Sequence, residues 1–126
     1  MKGIMIVEDE TEVREMLKIA LVKRKYLVLE ATNGKEALSK FKPSVIDLVI
    51  TDILMPEEDG LKVIMKLKEL KPDIRIIAIS GGGKAGPANY LNIAKALGAD
   101  EIVSKPFSLK TLLSKIEELL DSKQNQ

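Results

Sequence analysis

Four short stretches of this chain carry side chains with chemistry to offer: Glu8-Asp9-Glu10, Asp52, Ser80 and Lys105. Carboxylates crowded at one place repel one another, and the cost of ionising them all rises. A divalent cation removes that cost. The sequence has no histidine and no cysteine, so its ligands are oxygens, a set that suits Mg²⁺ or Mn²⁺ rather than zinc. The same absences exclude a Ser-His-Asp triad, thiolate chemistry, a zinc-thiolate site and a disulfide framework. A lysine and a hydroxyl supply what a phosphoryl oxygen takes, a point positive charge and a hydrogen-bond donor. Together these residues are the parts of a metal-assisted phosphoryl site. Taken singly, each has a plainer use: Glu8 to Glu10 as helix caps, Asp52 as a turn former, Ser80 as loop chemistry, Lys105 as a solvated surface group.

The parts converge only if the right elements hold them. Apolar runs at Ile4–Val7, Tyr26–Ala31, Leu48–Thr51, Ile74–Ile79 and Glu101–Val103 read as five strands. Between them, apolar residues recur at helical spacing: Val13, Met16, Leu17, Ala20 and Leu21; Ala37, Leu38 and Phe41 after the turn signal Asn33-Gly34; Leu61, Ile64, Leu67 and Leu70 before Pro72. Tyr90, Leu91, Ala94 and Leu97 precede Gly98, and Ser108 can cap a last helix carrying Leu109, Leu112, Leu113, Ile116, Leu119 and Leu120 on one face. Strands alternating with helices imply an α/β fold with a parallel sheet covered on both faces. Ligands of such sheets bind beyond the carboxyl ends of the strands, where all four stretches fall.

The 126 residues fit one domain, expected over residues 1–122 with a frayed polar tail at 123–126. With a net charge of +1, nothing draws the chain broadly to nucleic acid or an anionic membrane. No apolar run approaches the roughly 20 residues of a membrane span, and the start lacks the pattern of a signal peptide. The chain is therefore read as soluble and cytoplasmic.

The sequence resembles a response-regulator receiver domain, the chemotaxis-regulator-like module of two-component signalling, over Met5 to about Leu120. The resemblance rests on the acidic pair within Val7-Glu8-Asp9-Glu10, on Asp52 in Thr51-Asp52-Ile53-Leu54-Met55-Pro56, on Asp59-Gly60, on Ser80, and on Lys105-Pro106-Phe107. It implies a doubly wound, flavodoxin-like (βα)₅ sheet in the order 2-1-3-4-5. It implies that Asp52 is the phosphoacceptor, and that Glu8, Asp9, the Asp52 carboxylate and the Leu54 backbone carbonyl hold Mg²⁺ (or Mn²⁺). Lys105 would contact the phosphoryl group, with a cis bond to Pro106, and Ser80 would report its presence. The donor would be a sensor histidine kinase or phosphotransfer protein. With no DNA-binding element in view, the output would be contact with a downstream protein or onward transfer of the phosphoryl group.

The chain departs from the family pattern in three places. Ile102 stands where receivers often carry an aromatic, Leu54 where a polar residue is common, and Gly81–Gly86 is unusually rich in glycine. With Leu54 and Gly82 at the places that often orient the attacking water, slow self-dephosphorylation is expected. Gly81-x-Gly83-x-x-Gly86 also matches a dinucleotide fingerprint with Asp100 beyond it, but that pattern belongs in the first strand–helix turn and this is the fourth. A metal-dependent phosphohydrolase and a receiver that binds partners without phosphorylation are the remaining alternatives.

Overall fold

In a computed structural model, residues 1–53, 60–80 and 88–124 are described, the side chains of 88–91 and 122–124 excepted. The elements are β1 (Gly3–Val7), α1 (Thr11–Lys23), β2 (Leu27–Ala31), α2 (Gly34–Lys40), β3 (Leu48–Asp52), α3 (Gly60–Leu70), β4 (Arg75–Ser80), α4 (Ala88–Leu97), β5 (Glu101–Ser104) and α5 (Leu109–Gln124). The strands form one sheet in the order β2-β1-β3-β4-β5, and every neighbouring pair runs parallel. This is the doubly wound (βα)₅ arrangement expected from the sequence. Among the described residues, no helix is long and apolar enough to cross a membrane.

The central strands β1, β3 and β4 are mostly apolar because both faces of the sheet are covered there, whereas the edge strands β2 and β5 carry Glu30 and Glu101 and are only partly buried. Side chains alternate between those faces. Met5, Val7, Val49, Ile53, Ile76 and Ala78 pack in one core with Ala37, Val63, Ile64, Leu67 and Ala94 of α2, α3 and α4. Ile4, Ile6, Leu48, Ile50, Ile77 and Ile79 pack in the other with Leu17 and Leu21 of α1 and Leu112, Leu113 and Ile116 of α5. Not all of the apolar stripe of α1 is buried: Met16 is 40% exposed, and beside the stripe Ile19 (62%) and Val22 (52%) are exposed too.

The strands outrun their sequence-based bounds at the functional edge. Asp52 and Ser80 are the last residues of β3 and β4 rather than the first beyond them, because the ladder continues: Asp52 lies opposite Ile79 and Ser80 opposite Ser104. Helix α5 runs to Gln124, two residues into the expected tail. Gly98 closes α4 at φ +126°, the left-handed conformation that glycine adopts at least cost.

Helix starts use their polar residues. The Ser108 hydroxyl accepts from Thr111 N–H at 3.2 Å. The Asn33-Gly34 signal proves to be a helix start, with Asn33 Oδ1 accepting from Glu36 N–H at 2.8 Å. Glu36 Oε1 reaches back to the N–H and hydroxyl of Thr32 at 2.6 and 2.9 Å, a near relative of the capping box. These bonds, the Thr32 N–H first among them, hold the Glu36 carboxyl below its ordinary value. Replacing Asn33 by Ala should cost about 1 kcal/mol, read from urea unfolding followed by circular dichroism. A depressed carboxyl adds stability that is present above its unfolded value and lost as pH falls through its folded one. The stability gap between the parent and Glu36→Gln should therefore be full at neutral pH and shrink in acid below pH 4.5.

Candidate functional site: an acidic pocket with one lysine

Glu8 follows the last residue of β1, and its N–H continues the ladder by donating to Ala31 O at 3.0 Å. That bond carries a glutamate into the interior, where it is 1% exposed. Its Oε2 accepts from Glu10 N–H at 3.1 Å and from Lys105 Nζ at 3.1 Å. Its Oε1 is buried and has no partner among the described residues. Burial pushes the Glu8 carboxyl above its ordinary value and the Asp52 charge adds to this, while the Glu10 N–H and Lys105 oppose them.

Asp52 closes β3 with 4% exposure, between the ends of β1 and β4. Its Oδ2 lies 3.1 Å from Lys105 Nζ. Asp9, the residue after Glu8, is exposed. Glu8, Asp9 and Asp52 each offer an oxygen within 4.8 Å of the others. An all-oxygen cluster that includes a buried, unpartnered carboxylate oxygen fits a hard divalent cation such as Mg²⁺.

Lys105 leaves the end of β5, and its N–H donates to Ser80 O at 2.8 Å. The Lys105–Pro106 peptide is cis, as the resemblance implied. Its ammonium meets three carboxylates, Glu10 Oε1 at 2.8 Å and Glu8 Oε2 and Asp52 Oδ2 at 3.1 Å each. Burial alone would lower the lysine's proton affinity, but those carboxylates outweigh it and hold Lys105 above the ordinary lysine value. The three carboxylates thus favour the charged form of Lys105.

The structure thus brings Glu8, Asp9, Asp52 and Lys105 together, with Ser80 joined to Lys105 through the backbone. Leu54 lies outside the described residues, as do Asp59, Gly82 and the rest of the Gly81–Gly86 stretch. Glu10 does not use its side chain as a cap; the carboxylate lies on Lys105 instead. Two further residues meet the site: Arg14, which sequence reasoning passed over, and Gly60 of the Asp59-Gly60 pair. Arg14 Nη1 donates to the Glu8 carbonyl at 2.9 Å, and Arg14 Nε lies 3.4 Å from Glu30 Oε1. An arginine one turn into the helix after an acidic strand end was the only available signal. Gly60 backs onto the chain just past Asp52: a Cβ there would overlap Ile53 Cα and stand 2.7 Å from its carbonyl oxygen.

A parallel sheet in this order, with carboxylates and a lysine at its carboxyl edge, defines a doubly wound α/β module with an acidic site, and comparison with known proteins specifies its family. The sequence model of the response regulator receiver domain matches residues 4–117. The chain is 36% identical over 121 residues to the response regulator receiver protein CpdR of Brucella abortus (strain 2308), covering 95% of this chain and 98% of that one. It is 39% identical over 107 residues to the chemotaxis protein CheY of Thermotoga maritima, covering 84% and 87%. Against longer relatives it spans part of their length, 12% of the sensor kinase CckA of Brucella abortus and 47% of the transcriptional regulatory protein ResD of Bacillus subtilis. Among solved structures, a CheY-like receiver domain from Methanospirillum hungatei JF-1 superposes with a TM-score of 0.92 at 29% identity, over 99% of this chain and 98% of that one. The response regulator TrrA of Thermotoga maritima, solved in complex with Mg²⁺-BeF, superposes with a TM-score of 0.80 at 38% identity, over 94% and 99%. The chain belongs to the response regulator receiver domain family of two-component signalling.

Gly60 supplies a direct test of how the pocket is built. Alanine at a helical position gains up to about 1 kcal/mol over glycine, whereas overpacking costs about 1–3 kcal/mol. With backbone atoms of Ile53 as the obstacle, the second effect wins. Gly60→Ala should lower stability in denaturant unfolding, and Mg²⁺ binding, measured calorimetrically, should weaken with it as the end of β3 is displaced.

Proposed function

We propose that Asp52 accepts a phosphoryl group from a phosphohistidine on a partner kinase or phosphotransfer protein. The carrying observation is Asp52 Oδ2 at 3.1 Å from the Lys105 ammonium, beside a carboxylate cluster with an unpartnered buried oxygen. Phosphoryl transfer asks a protein mainly for positioning and charge neutralisation. In this reading an Asp52 carboxylate oxygen attacks phosphorus in line, the P–N bond breaks, and its electron pair leaves with the donor imidazole. Lys105 keeps its proton throughout and serves as a fixed charge for a phosphoryl oxygen, not as an acid. To reach that oxygen it must give up a carboxylate. Glu10, 59% exposed against 1% for Glu8 and 5% for Asp52, is the partner water can best solvate. Ser80 would donate its hydroxyl to a second phosphoryl oxygen.

Glu8, Asp9, Asp52 and the Leu54 backbone carbonyl would hold Mg²⁺ (or Mn²⁺), whose charge offsets that of the carboxylates and of the phosphoryl oxygens. The structure of TrrA, at 38% identity, solved in complex with Mg²⁺-BeF, supports Mg²⁺ as the cation. The product adds about one negative charge at the site, and the module would act in the cytoplasm by changing its contact with a downstream protein or passing the group on.

An apolar cleft supports a protein as donor. It occupies about 740 Å³ between α1 and α5 and is lined by Met16, Ile19, Ala20, Leu109 and Leu113 among others. Met16 continues it into a second hollow walled by Val13, Lys105, Pro106 and Phe107, so a helix laid there would end beside the pocket.

Acetyl phosphate with Mg²⁺ should raise the intact mass by one phosphoryl group, and Asp52→Asn should abolish the change; modification surviving in that variant would move the acceptor. Ile19→Glu places a charge in the cleft and leaves the pocket alone. Transfer from a phosphorylated histidine kinase should slow by about tenfold or more, given that a central apolar anchor is worth at least about 2 kcal/mol, with acetyl phosphate loading unchanged. Equal slowing with both donors would place the effect in the pocket, not in docking.

A further inference from the structure

We infer that Arg14, anchored by Glu30, is a positioning residue that sets the aim of the Glu8 and Asp9 carboxylates; the inference rests on the reading of those carboxylates as cation ligands. The β1–β2 ladder ends at Val7 opposite Ala31 and is extended by Glu8 N–H to Ala31 O. The Glu8 carbonyl is the next acceptor along the chain, and Arg14 Nη1 takes it at 2.9 Å. This carbonyl belongs to the peptide joining the two carboxylate-bearing residues. Rotation of that peptide would swing the Asp9 side chain away from Glu8 and Asp52. A charge-assisted bond to it fixes the rotation.

The guanidinium is itself held. Arg14 Nε lies 3.4 Å from Glu30 Oε1, and Glu30 sits opposite Ile6 inside the ladder. A rigid sheet position thus anchors one side of the fork while the other grips the turn. The Arg14 side chain is only 15% exposed, and a lysine could not span both acceptors in this way. A structural ion pair is the competing account, and the surroundings weigh against it. Glu30 has a second cation, Lys18 Nζ at 3.1 Å, so loss of Arg14 leaves that carboxylate paired. The consequence of losing Arg14 falls on the Glu8–Asp9 peptide.

The sign of the effect separates positioning from plain electrostatics. If Arg14 acted only through its charge, removing it would leave the pocket more negative and tighten the grip on a cation. Positioning demands the opposite. Mg²⁺ affinity, measured by calorimetry, should fall about tenfold in Arg14→Gln and in Arg14→Lys, in line with the cost of losing groups that orient metal ligands. It should fall less, in the same direction, in Glu30→Gln, which frees the guanidinium and leaves it in place. Lys18→Gln should keep the parent's affinity. Melting temperatures in chelator should show Arg14→Lys no less stable than Lys18→Gln. Phosphorylation of the Arg14 variants by acetyl phosphate should need more Mg²⁺ for half-saturation but reach the parent's plateau rate.

Unchanged or tighter Mg²⁺ binding in Arg14→Lys and Glu30→Gln would overturn the inference, and so would a lowered plateau with unmoved half-saturation. If Arg14→Gln fails to fold, Arg14→Lys decides it, because that variant keeps the charge and plain electrostatics leaves its affinity unchanged. A parent that binds no Mg²⁺ would instead remove the reading on which the inference rests.

Discussion

Lys105 joins three strand ends with one ammonium group. It comes from the end of β5, and its partners lie at the ends of β1 and β3: Glu8 and Asp52 at 3.1 Å and Glu10 at 2.8 Å. It offsets the charges of Glu8 and Asp52, which are 1% and 4% exposed; carboxylates buried without a counter-charge tend to bind protons. The remaining architecture arranges for this meeting. The order β2-β1-β3-β4-β5 sets β1 beside β3, and β4, which carries Ser80, lies between β3 and β5. The Lys105 N–H to Ser80 O bond continues the β4–β5 ladder into the residue that must turn inward. Gly60 lets α3 approach the chain just beyond Asp52.

The balance that Lys105 strikes is incomplete. Glu8, Asp9, Glu10 and Asp52 carry more negative charge than one ammonium offsets, and one buried oxygen of Glu8 has no partner among the described residues. Burial raises the Glu8 carboxyl for the same reason. A fold would ordinarily remove such a group or supply a hydrogen bond, because leaving a buried polar atom unsatisfied costs about 1–3 kcal/mol. Its retention is intelligible if the pocket meets its remaining positive charge only when it works, from a divalent cation.

Much of this could be read from the chain alone. Ile4–Val7 is apolar at every position and Leu48–Thr51 at all but its last, the mark of strands covered on both faces, and such runs locate the sheet edge where Glu8, Asp52, Ser80 and Lys105 fall. Strand ends are set by backbone partners that a single strand does not reveal, so Asp52 and Ser80 lie within the ladder rather than past it. The Asn33-Gly34 pair was read as a turn because both residues favour turns; that Asn33 caps α2 depends on Glu36 three residues on. The bond from Arg14 to the Glu8 carbonyl was hidden because backbone acceptors leave no trace in sequence. The pairing of Glu10 with Lys105 spans 95 residues, and its local context suggested a cap. On α1, Met16 belongs to the helix's apolar stripe by spacing, yet it remains 40% exposed, and Ile19 beside that stripe is 62% exposed.

Ile102 bears on how a change at Asp52 could travel. Receivers often carry an aromatic at this position, and this chain lacks that switch residue. Ile102 packs against the core beneath α2, α3 and α4, and a β-branched side chain has few rotamers to exchange. The remaining links to Asp52 run through the strand ends themselves. Ile53 N–H donates to Ile79 O at 2.9 Å, one residue before Ser80, and Lys105 N–H donates to Ser80 O at 2.8 Å. Under the proposed reading, a phosphoryl group on Asp52 would draw Lys105 from Glu10 and the Ser80 hydroxyl toward itself. The first movement would free Glu10 at the start of α1 from Lys105, and both would act on strand ends that these bonds join, β3 to β4 and β4 to the residue after β5. The surfaces that respond would then be those at the carboxyl ends of the strands and along α1, and no rotating core side chain is required.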